Sequence, residues 1–184
     1  MTNIIKWSII VLGCLAVLVF VGFQFILART RAHSPQETVH YEQNDLRLSV
    51  AYSRPYKKER TIFGELVPYG NVWRTGENEA TVFTTSHDLR IDGQSLPAGT
   101  YTLWTIPTAR QWTVLFNEKS YDWGLNFDGS SPYDSTADVV SVDVPVQAPA
   151  TPVEQFTIRF TEAPLALVLE WDDAQVSVPI QTAN

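Results

Sequence analysis

The chain has 184 residues, 45% of them hydrophobic, which allows one ordinary folded domain with a short appendage and argues against wholesale disorder. The formal net charge is −7, and the part after His33 carries 10 basic and 20 acidic residues. Because Lys and Arg supply most of the affinity of nucleic-acid binders, we expect no nucleic-acid partner. The one cysteine, Cys14, lies in an N-terminal apolar run, which excludes disulfides, zinc–cysteine sites and thiol catalysis from the folded domain.

That apolar run predicts a transmembrane anchor. Residues 7–28 contain no charge, and as a helix they would extend about 33 Å, enough to cross the hydrocarbon core of a bilayer. Residues 1–6 form a short tail before the run, and residues 29–37 form a polar linker after it. A cleaved signal peptide has a shorter apolar region, so we favour an uncleaved single-pass anchor, with cleavage after Ala32 as the alternative.

The charges that flank the run do not decide its orientation. Lys6 and the amino terminus compete with Arg29 and Arg31, so the positive-inside rule does not assign a direction to the helix. A short tail ahead of one apolar run is the common layout of a signal anchor. We therefore expect a cell-membrane protein whose soluble domain lies outside the cytoplasm, in the periplasm.

Period-two alternation of apolar and polar residues predicts β-strands along the rest of the chain. The clearest segments are 46–52, 112–116, 140–146, 156–160 and 176–180, and less regular ones are 80–85, 100–106 and 165–171. Asp92-Gly93 is a strong signal for a two-residue hairpin, and Pro145 and Pro179 predict strand edges or bulges. About nine short strands without a sustained helical period predict an all-β fold over residues 38–184, an antiparallel β-sandwich or jelly-roll-like domain behind one N-terminal transmembrane helix.

Two stretches without any period interrupt this pattern. The first is the 52–81 stretch, which holds five of the ten Lys and Arg residues that follow Ser34. The second runs from 117 to 138 and contains Trp123-Gly124, Phe127 and the turn-forming residues 128–132. Long irregular segments inside compact domains are often functional, so we place the candidate site in the 52–81 stretch and interpret 117–138 as a surface loop.

The 52–81 stretch also carries a family resemblance. Its motifs are Ser-Arg-Pro at 53–55, Ile-Phe-Gly at 62–64, Leu-Val-Pro-Tyr-Gly at 66–70, Val-Trp-Arg-Thr-Gly at 72–76 and Asn-Glu-Ala-Thr at 78–81. With Leu-Pro-Ala-Gly-Thr-Tyr at 96–101, they resemble the bacterial domain-of-unknown-function family 2911 over nearly everything from Ser34 onward. The resemblance implies a secreted or envelope-facing β-rich domain and implies no activity. One difference is Glu59, where similar proteins often have glycine, a residue suited to a left-handed backbone position.

Several side chains of this stretch have the chemistry of a binding site. Arginine binds carboxylate or phosphate with two parallel hydrogen bonds, Trp73 offers an apolar or stacking wall, and the polar residues after it accept hydrogen bonds from a sugar. The candidate ligand-binding residues are Arg54, Lys57, Arg60, Trp73, Arg74, Glu77, Asn78 and Glu79. The alternative is structural, with these cations in internal ion pairs that fix the stretch over the sandwich. Trp104 and Trp123 fit either a carbohydrate groove or a loop-anchoring role.

No motif of the chain points to a cofactor or a metal. His33, His40 and His87 have no short metal-type spacing, and neither a Gly-x-Ser-x-Gly elbow nor a P-loop is present. The leading hypothesis is therefore a membrane-anchored extracytoplasmic β-sandwich that binds a small anionic or carbohydrate ligand, or an envelope protein, through residues 52–81. The alternatives are a hydrolase that uses Glu77 or Glu79 and a purely structural envelope module.

Overall fold

The computed structural model describes residues 2–126 and 128–183, and its contacts divide the chain between His33 and Ser34 into two compact units. Phe127 of the second irregular stretch lies outside the described residues. The first unit is one helix, α1 (Thr2–His33), of 32 residues or about 48 Å. By length and composition α1 qualifies as a membrane-spanning helix, and it includes residues predicted as the tail and the beginning of the linker.

The second unit consists of antiparallel strands, which confirms the predicted all-β sandwich. The strands are β1 (Gln36–Gln43), β2 (Leu46–Ser53), β3 (Thr81–Thr85), β4 (Leu89–Ile91), β5 (Gln94–Leu96), β6 (Gly99–Pro107), β7 (Gln111–Asn117), β8 (Asp138–Pro145), β9 (Val153–Glu162), β10 (Leu165–Asp172) and β11 (Ala174–Thr182). They form a six-stranded sheet in the order β1-β2-β3-β6-β7-β8 and a five-stranded sheet in the order β5-β4-β11-β10-β9. A short 3₁₀ helix, Ser135–Ala137, precedes β8.

The predicted alternation places the core between the two sheets. In β2, Leu48 and Val50 are buried while Arg47 is exposed, and in the other sheet Val176 and Val178 are buried in the same cluster. Since side chains along a strand point alternately to opposite faces, the apolar face of each sheet packs against the other. The core is therefore built from the residues that the period-two pattern marked.

The local signals for turns and edges also agree with the structure. Asp92 and Gly93 join β4 to β5 with φ of 48° and 78°, the two positive values that a type I′ hairpin requires. Pro145 ends β8, an edge strand. Pro179 lies in the inner strand β11 but just before Ile180, where the pairing of β11 with β4 begins, so its missing N–H leaves that ladder intact.

The 52–81 stretch is attached to the six-stranded sheet at Trp73. Trp73 N donates to Thr105 O at 2.7 Å and Thr105 N donates to Trp73 O at 3.0 Å. The pairing of β3 with β6 begins at Thr81 and Leu103, so Trp73 continues the sheet beside β6 beyond the start of β3. The Trp73 ring packs in the core against Phe156, Trp112 and Trp171, with ring centroids 5.0, 6.0 and 6.0 Å away.

A second segment, the covering loop (residues 118–126 and 128–134), lies over the outer face of the same sheet. Trp104 of β6 is fully buried although it lies opposite the core side chain Leu103. Tyr121 and Tyr133 of the covering loop pack on its ring at centroid distances of 5.2 and 5.5 Å. Thr102 Oγ1 donates to Lys119 O at 2.6 Å and fixes the beginning of the loop. The strand β6 is therefore covered on both faces.

The side chain of Tyr52 connects the two sheets. Its hydroxyl accepts from the backbone N–H of Ile158 in β9 at 2.8 Å and lies 3.1 Å from Glu37 Oε2 in β1. Burial raises the pKa of the Tyr52 hydroxyl far above its ordinary value, because a phenolate would lose solvation there. The hydroxyl thus remains neutral and satisfies a backbone donor that faces the other sheet.

We expect the substitution Tyr52→Phe to lower the free energy of unfolding by about 1–3 kcal/mol, because it leaves the N–H of Ile158 buried without an acceptor. A guanidinium titration of the full chain in detergent, followed by tryptophan fluorescence, measures this loss. Tyr69→Phe is the matched control, since the Tyr69 side chain is exposed. Equal stability of the two variants would contradict the role of the Tyr52 hydroxyl as a link between the sheets.

Candidate functional site

Three of the predicted cations are engaged with the domain itself. Arg54 pairs with Glu37 Oε2 at 2.7 Å and donates to Phe156 O and Thr157 Oγ1 at 3.1 and 2.9 Å. Lys57 forms an ion pair with Asp172, whose hydrogen bond raises the pKa of the lysine. Arg60 donates to the backbone carbonyl oxygens of Lys57 and Tyr56. These contacts connect the beginning of the 52–81 stretch to β1, β9 and β10.

The acidic residues of the stretch also contact side chains of the domain. Glu77 accepts a hydrogen bond from Ser34, which is buried, and Glu79 accepts one from Ser53 at 3.1 Å. The backbone N–H of Arg54 donates to Pro35 O at 2.9 Å. The first residues of the β unit, Ser34 and Pro35, are therefore held by the 52–81 stretch.

Arg74 lies apart from these contacts, on the outer face of the six-stranded sheet. The bridge between Trp73 and Thr105 is antiparallel, so the next pair along it is Arg74 and Trp104. Successive side chains point to opposite faces, and because Trp73 faces the core, Arg74 faces outward together with Trp104. One backbone bridge thus places Arg74 next to Trp104 on the face that lies under the covering loop.

The covering loop approaches Arg74 most closely at Gly124. The backbone N–H of Gly124 donates to Asn78 O at 2.9 Å. A Cβ atom added at Gly124 would lie 2.1 Å from Cδ and 2.8 Å from Cβ of Arg74, so only glycine allows the loop to lie directly on this side chain. Asn78 is itself buried, with 4% of its surface exposed. Arg74, Asn78, Trp104 and Gly124 therefore belong to one cluster.

A second glycine shapes the backbone between Arg74 and Asn78. Gly76 has a φ of 148°, and an added Cβ would lie 2.9 Å from Ser53 O. Its carbonyl oxygen accepts from Trp73 Nε1 at 3.1 Å. Glycine is required here because both the backbone angle and the space exclude a side chain.

A cleft of about 260 Å³ lies at this cluster. Its walls come from the 52–81 stretch on one side and from β6 and the covering loop on the other. The lining residues are Leu66, Val67, Pro68, Asn71, Val72, Trp73, Arg74, Trp104, Gly124, Leu125, Gly129 and Ser131. Apolar side chains form most of the 52–81 wall. Asn71, Arg74 and Ser131 add polar groups to these walls.

Three side-chain nitrogens of the cluster are buried N–H donors without a hydrogen-bond partner. Among residues 2–126 and 128–183, the buried side-chain nitrogens that have no hydrogen-bond partner are Arg74 Nε, Asn78 Nδ2, Trp104 Nε1 and Trp171 Nε1. Trp171 belongs to the core, and the other three belong to this cluster. A buried donor without a partner costs about 1–3 kcal/mol, so three in one place mark a region that is destabilising unless an acceptor is supplied.

The electrostatic environment of Arg74 also indicates a charged group that lacks a partner. Burial lowers the pKa of its guanidinium, and the negative charge of Glu77 acts against this shift. No described carboxylate forms an ion pair with Arg74, in contrast to Arg54 and Lys57. Arginine remains charged at all physiological pH values, so the cleft holds a positive charge that the domain neutralises only at a distance.

The structure thus divides the eight candidate residues into groups. Arg74 and Trp73 line the cleft and Asn78 contacts its wall at Gly124, whereas Arg54, Lys57 and Arg60 contact other parts of the domain. Glu77 and Glu79 do not appear among the described lining residues. Within residues 2–126 and 128–183, no group of three or more His, Cys, Asp or Glu side chains is arranged to hold a metal ion.

Sequence reasoning missed the contribution of the covering loop. Gly124, Leu125 and Ser131 line the cleft but were interpreted as parts of a surface loop. The strand pattern offered one signal, because Trp104 follows Leu103 in a segment that is apolar on both faces, which requires a cover on the outer side. Glu59 has a φ of 59°, so it does occupy a left-handed position of the kind that favours glycine.

The contact between Gly124 and Arg74 can be tested with a double-mutant cycle. We expect Gly124→Ala to lower the free energy of unfolding by about 1–3 kcal/mol through overpacking. The loss should be smaller in an Arg74→Ala background, which removes Cγ and Cδ, with a coupling of about 0.5–3 kcal/mol. Gly99→Ala is the control, since its added Cβ meets Tyr101 only at ordinary distances from 3.5 Å. Identical losses in both backgrounds would mean that the loop does not lie on Arg74.

Comparison with known proteins places the domain in a family. Searches of curated proteins and of solved structures returned no match to the chain. A family model described as "Protein of unknown function (DUF2911)" matches residues 34–180, which is nearly the whole β unit and confirms the resemblance seen in the motifs. The chain belongs to the DUF2911 family.

Proposed function

We propose that this protein is a membrane-anchored, extracytoplasmic β-sandwich that binds a small anionic or sugar-like ligand in the cleft at Arg74. The observation that supports the proposal is that Arg74 is partly buried beside the cleft without an acceptor for its Nε–H. Its Nε is buried without an acceptor, its side chain lines the cleft, and no described carboxylate pairs with it. A bound ligand with acceptor oxygens would supply the partner that the domain does not.

The structural alternative accounts for the other cations but not for Arg74. An arginine that only fixes a loop gains its stability from carboxylate and carbonyl acceptors, as Arg54 does with Glu37 and Phe156. Burying a charge without such partners is costly. Backbone pairing and the Gly124 contact hold Arg74 in this position despite the cost. Strain of this kind concentrates at binding sites, where the ligand relieves it.

The residues around the cleft have distinct proposed roles. Arg74 is the primary ligand contact, and Trp104 lines the cleft beside it. Trp73 positions Arg74, because the same backbone bridge directs one side chain into the core and the next into the cleft. The negative charge of Glu77 raises the pKa of the Arg74 guanidinium, against the effect of burial. Arg54, Lys57 and Arg60 hold the 52–81 stretch in place.

The proposed location rests on α1. Its length and composition fit a single-pass anchor and equally an N-terminal signal sequence, and the uninterrupted apolar run of residues 7–28 favours the anchor. The match to the family model begins at residue 34, directly after the helix. This is expected if α1 serves only to attach the domain to the membrane or to direct its export. We propose that the β unit lies on the outer side of the membrane.

Stability measurements on the unliganded protein distinguish an arginine that binds a ligand from one that stabilises the fold. We expect Arg74→Met to leave the free energy of unfolding unchanged or to increase it, because it removes a buried charge that has no partner. Arg54→Met should lower it by about 1–3 kcal/mol, since the carbonyl oxygen of Phe156 and Thr157 lose their donor. A guanidinium titration of both full-length variants in detergent measures the difference.

The same variants then serve in a thermal-shift screen with small anions and sugars. A ligand at 100 times its dissociation constant adds about 2.7 kcal/mol of stability, and this gain should disappear in Arg74→Met but persist in Arg54→Met and in the exposed-site control Arg110→Gln. If Arg74→Met is as destabilising as Arg54→Met and no compound stabilises the wild type, the arginine is structural and the proposal fails.

Reporter fusions test the location. We expect alkaline phosphatase fused after Asn184 to be active and green fluorescent protein at the same point to be dark, because both results require translocation of the β unit. The phosphatase fusion should sediment with membranes, and a version that lacks residues 1–33 should be inactive. If the green fluorescent protein fusion is fluorescent and the phosphatase fusion is inactive, the domain lies in the cytoplasm. If the phosphatase fusion is active but soluble, α1 is a cleaved signal sequence.

A further inference from the structure

Building on the α1 anchor of the proposed function, we infer that the 61–70 loop (residues 61–70) makes a second membrane contact, in which Leu66 and Tyr69 insert into the interfacial region of the lipid bilayer. Three properties of the β unit support this contact. They are the position of its exposed apolar side chains, the end of the sandwich at which they lie, and the direct passage of the chain from α1 to that end.

The exposed apolar surface of the β unit is concentrated in the 61–70 loop. Within residues 34–126 and 128–183, the two exposed large apolar side chains are Leu66, at 43%, and Tyr69, at 46%. Leu66 also lines the cleft, but Tyr69 is not among the described lining residues, so a ligand in the cleft would not cover both. Tyrosine is enriched at membrane interfaces, where its ring meets apolar groups and its hydroxyl meets water.

The inner side of the 61–70 loop is fixed in the sandwich. Ile62 and Val67 are buried in the core cluster, and the ring of Phe63 lies 4.9 Å from that of Trp112. The backbone N–H of Val67 donates to Ile62 O, and that of Gly64 donates to Val67 O, both at 2.9 Å. The apolar side chains on the outer side of the loop therefore cannot reach the core unless these contacts break.

The 61–70 loop and the first residue of the β unit lie at the same end of the six-stranded sheet. Gly70 N donates to the carbonyl oxygen of Pro107, the last residue of β6, at 2.9 Å. The start of β1 pairs with the end of β2, and β2 and β6 run in the same direction because both are antiparallel to β3. Ser34, two residues before β1, is therefore at the end of the sheet where β6 ends, about 14 Å away across the strands.

The chain reaches this end of the sandwich directly from α1. The helix ends at His33, five residues or about 8 Å past the apolar run 7–28. Ser34, the next residue, is already buried in the β unit, where its hydroxyl donates to Glu77. With α1 in a bilayer, so short a connection keeps this end of the sandwich within reach of the lipid headgroups and gives a second contact a high effective concentration.

A lipid surface fits the 61–70 loop better than a folded protein partner. A stable protein interface involves about 20–30 residues on each side, far more than two exposed apolar side chains provide, whereas a contact that only supplements α1 needs no such area. Exposed basic residues, Lys58 and Arg60, precede the loop, and exposed acidic residues, Glu59 and Glu65, lie beside them. Because these charges offset one another, we expect apolar insertion into uncharged as well as anionic bilayers.

Fluorescence quenching in phosphatidylcholine nanodiscs tests the contact with the full chain. An environment-sensitive fluorophore is attached to native Cys14 in one sample, and to Leu66→Cys or Glu42→Cys in a Cys14→Ser background in two others. Glu42 is the matched control, because it is exposed and lies near the opposite end of β1. The quenchers are lipids that carry a nitroxide at the headgroup, at acyl carbon 5 or at acyl carbon 12.

We expect the label at position 66 to show blue-shifted emission and to lose most intensity with the carbon-5 nitroxide, and the label at position 42 to show neither change. The label at Cys14 should lose most intensity with the carbon-12 nitroxide. Adding Tyr69→Ser should reduce the quenching at position 66, since the native tyrosine then no longer holds the loop at the interface. A label that inserted by itself would not respond to Tyr69→Ser, and that result would overturn the inference.

The label at Cys14 separates failure of this inference from failure of the anchor. If Cys14 is quenched but the label at position 66 behaves like the one at position 42, the membrane contact of the 61–70 loop is wrong and the anchor stands. That holds both when neither label is quenched, as for a loop that faces solvent or a protein, and when both are quenched equally, as for non-specific adsorption. If Cys14 is not quenched by any of the lipids, α1 does not span the bilayer, and both the anchor and the contact are overturned.

Discussion

The short backbone pairing between Trp73 and Thr105 determines where the polar chemistry of this domain lies. It extends the six-stranded sheet beside β6 beyond the start of β3, and this one pair fixes the direction of two side chains. Trp73 enters the aromatic cluster with Phe156, Trp112 and Trp171. Arg74, the next residue, is sent to the opposite face beside Trp104. The hydrophobic gain of burying one large ring thus holds a charged neighbour in a place that it would not adopt by itself.

The arginines of the 52–81 stretch illustrate that identical side chains in one segment have different roles. Arg54 meets a carboxylate, a carbonyl oxygen and a hydroxyl, so its charge is part of how the stretch is attached to β1 and β9. Arg74 meets the backbone of Gly124 and lines a cleft with Trp104, whose indole N–H is also without a partner. Both arginines have acidic residues nearby in the sequence, so the charge pattern alone does not distinguish their roles. The distinction arises from the face of the sheet on which each lies.

Residue patterns predicted the sandwich well because its determinants are local. Alternation at Leu48 and Val50, and Asp92-Gly93 at the β4–β5 turn, act within a few residues of chain, and the structure follows them. The candidate site was only partly predictable. The 52–81 stretch has no period, so nothing in it gives the register that pairs Trp73 with Thr105, a contact across 32 positions. The approach of Gly124 to Arg74 depends on a second irregular segment, and glycine leaves no side chain by which a contact could be anticipated.

The way in which the covering loop is attached has a consequence for how the wall of the cleft can move. The loop is fastened at both ends, where Thr102 binds Lys119 and Asn117 binds both Asp134 and Asp138. Its middle reaches the 52–81 stretch through the hydrogen bond from Gly124 to Asn78. To widen the cleft, the central residues of the covering loop must lose their contacts, whereas the two ends of the loop can stay bound. Such local motions take about nanoseconds to microseconds, so the wall that Gly124 contributes would move on this timescale while the ends of the loop stay in place.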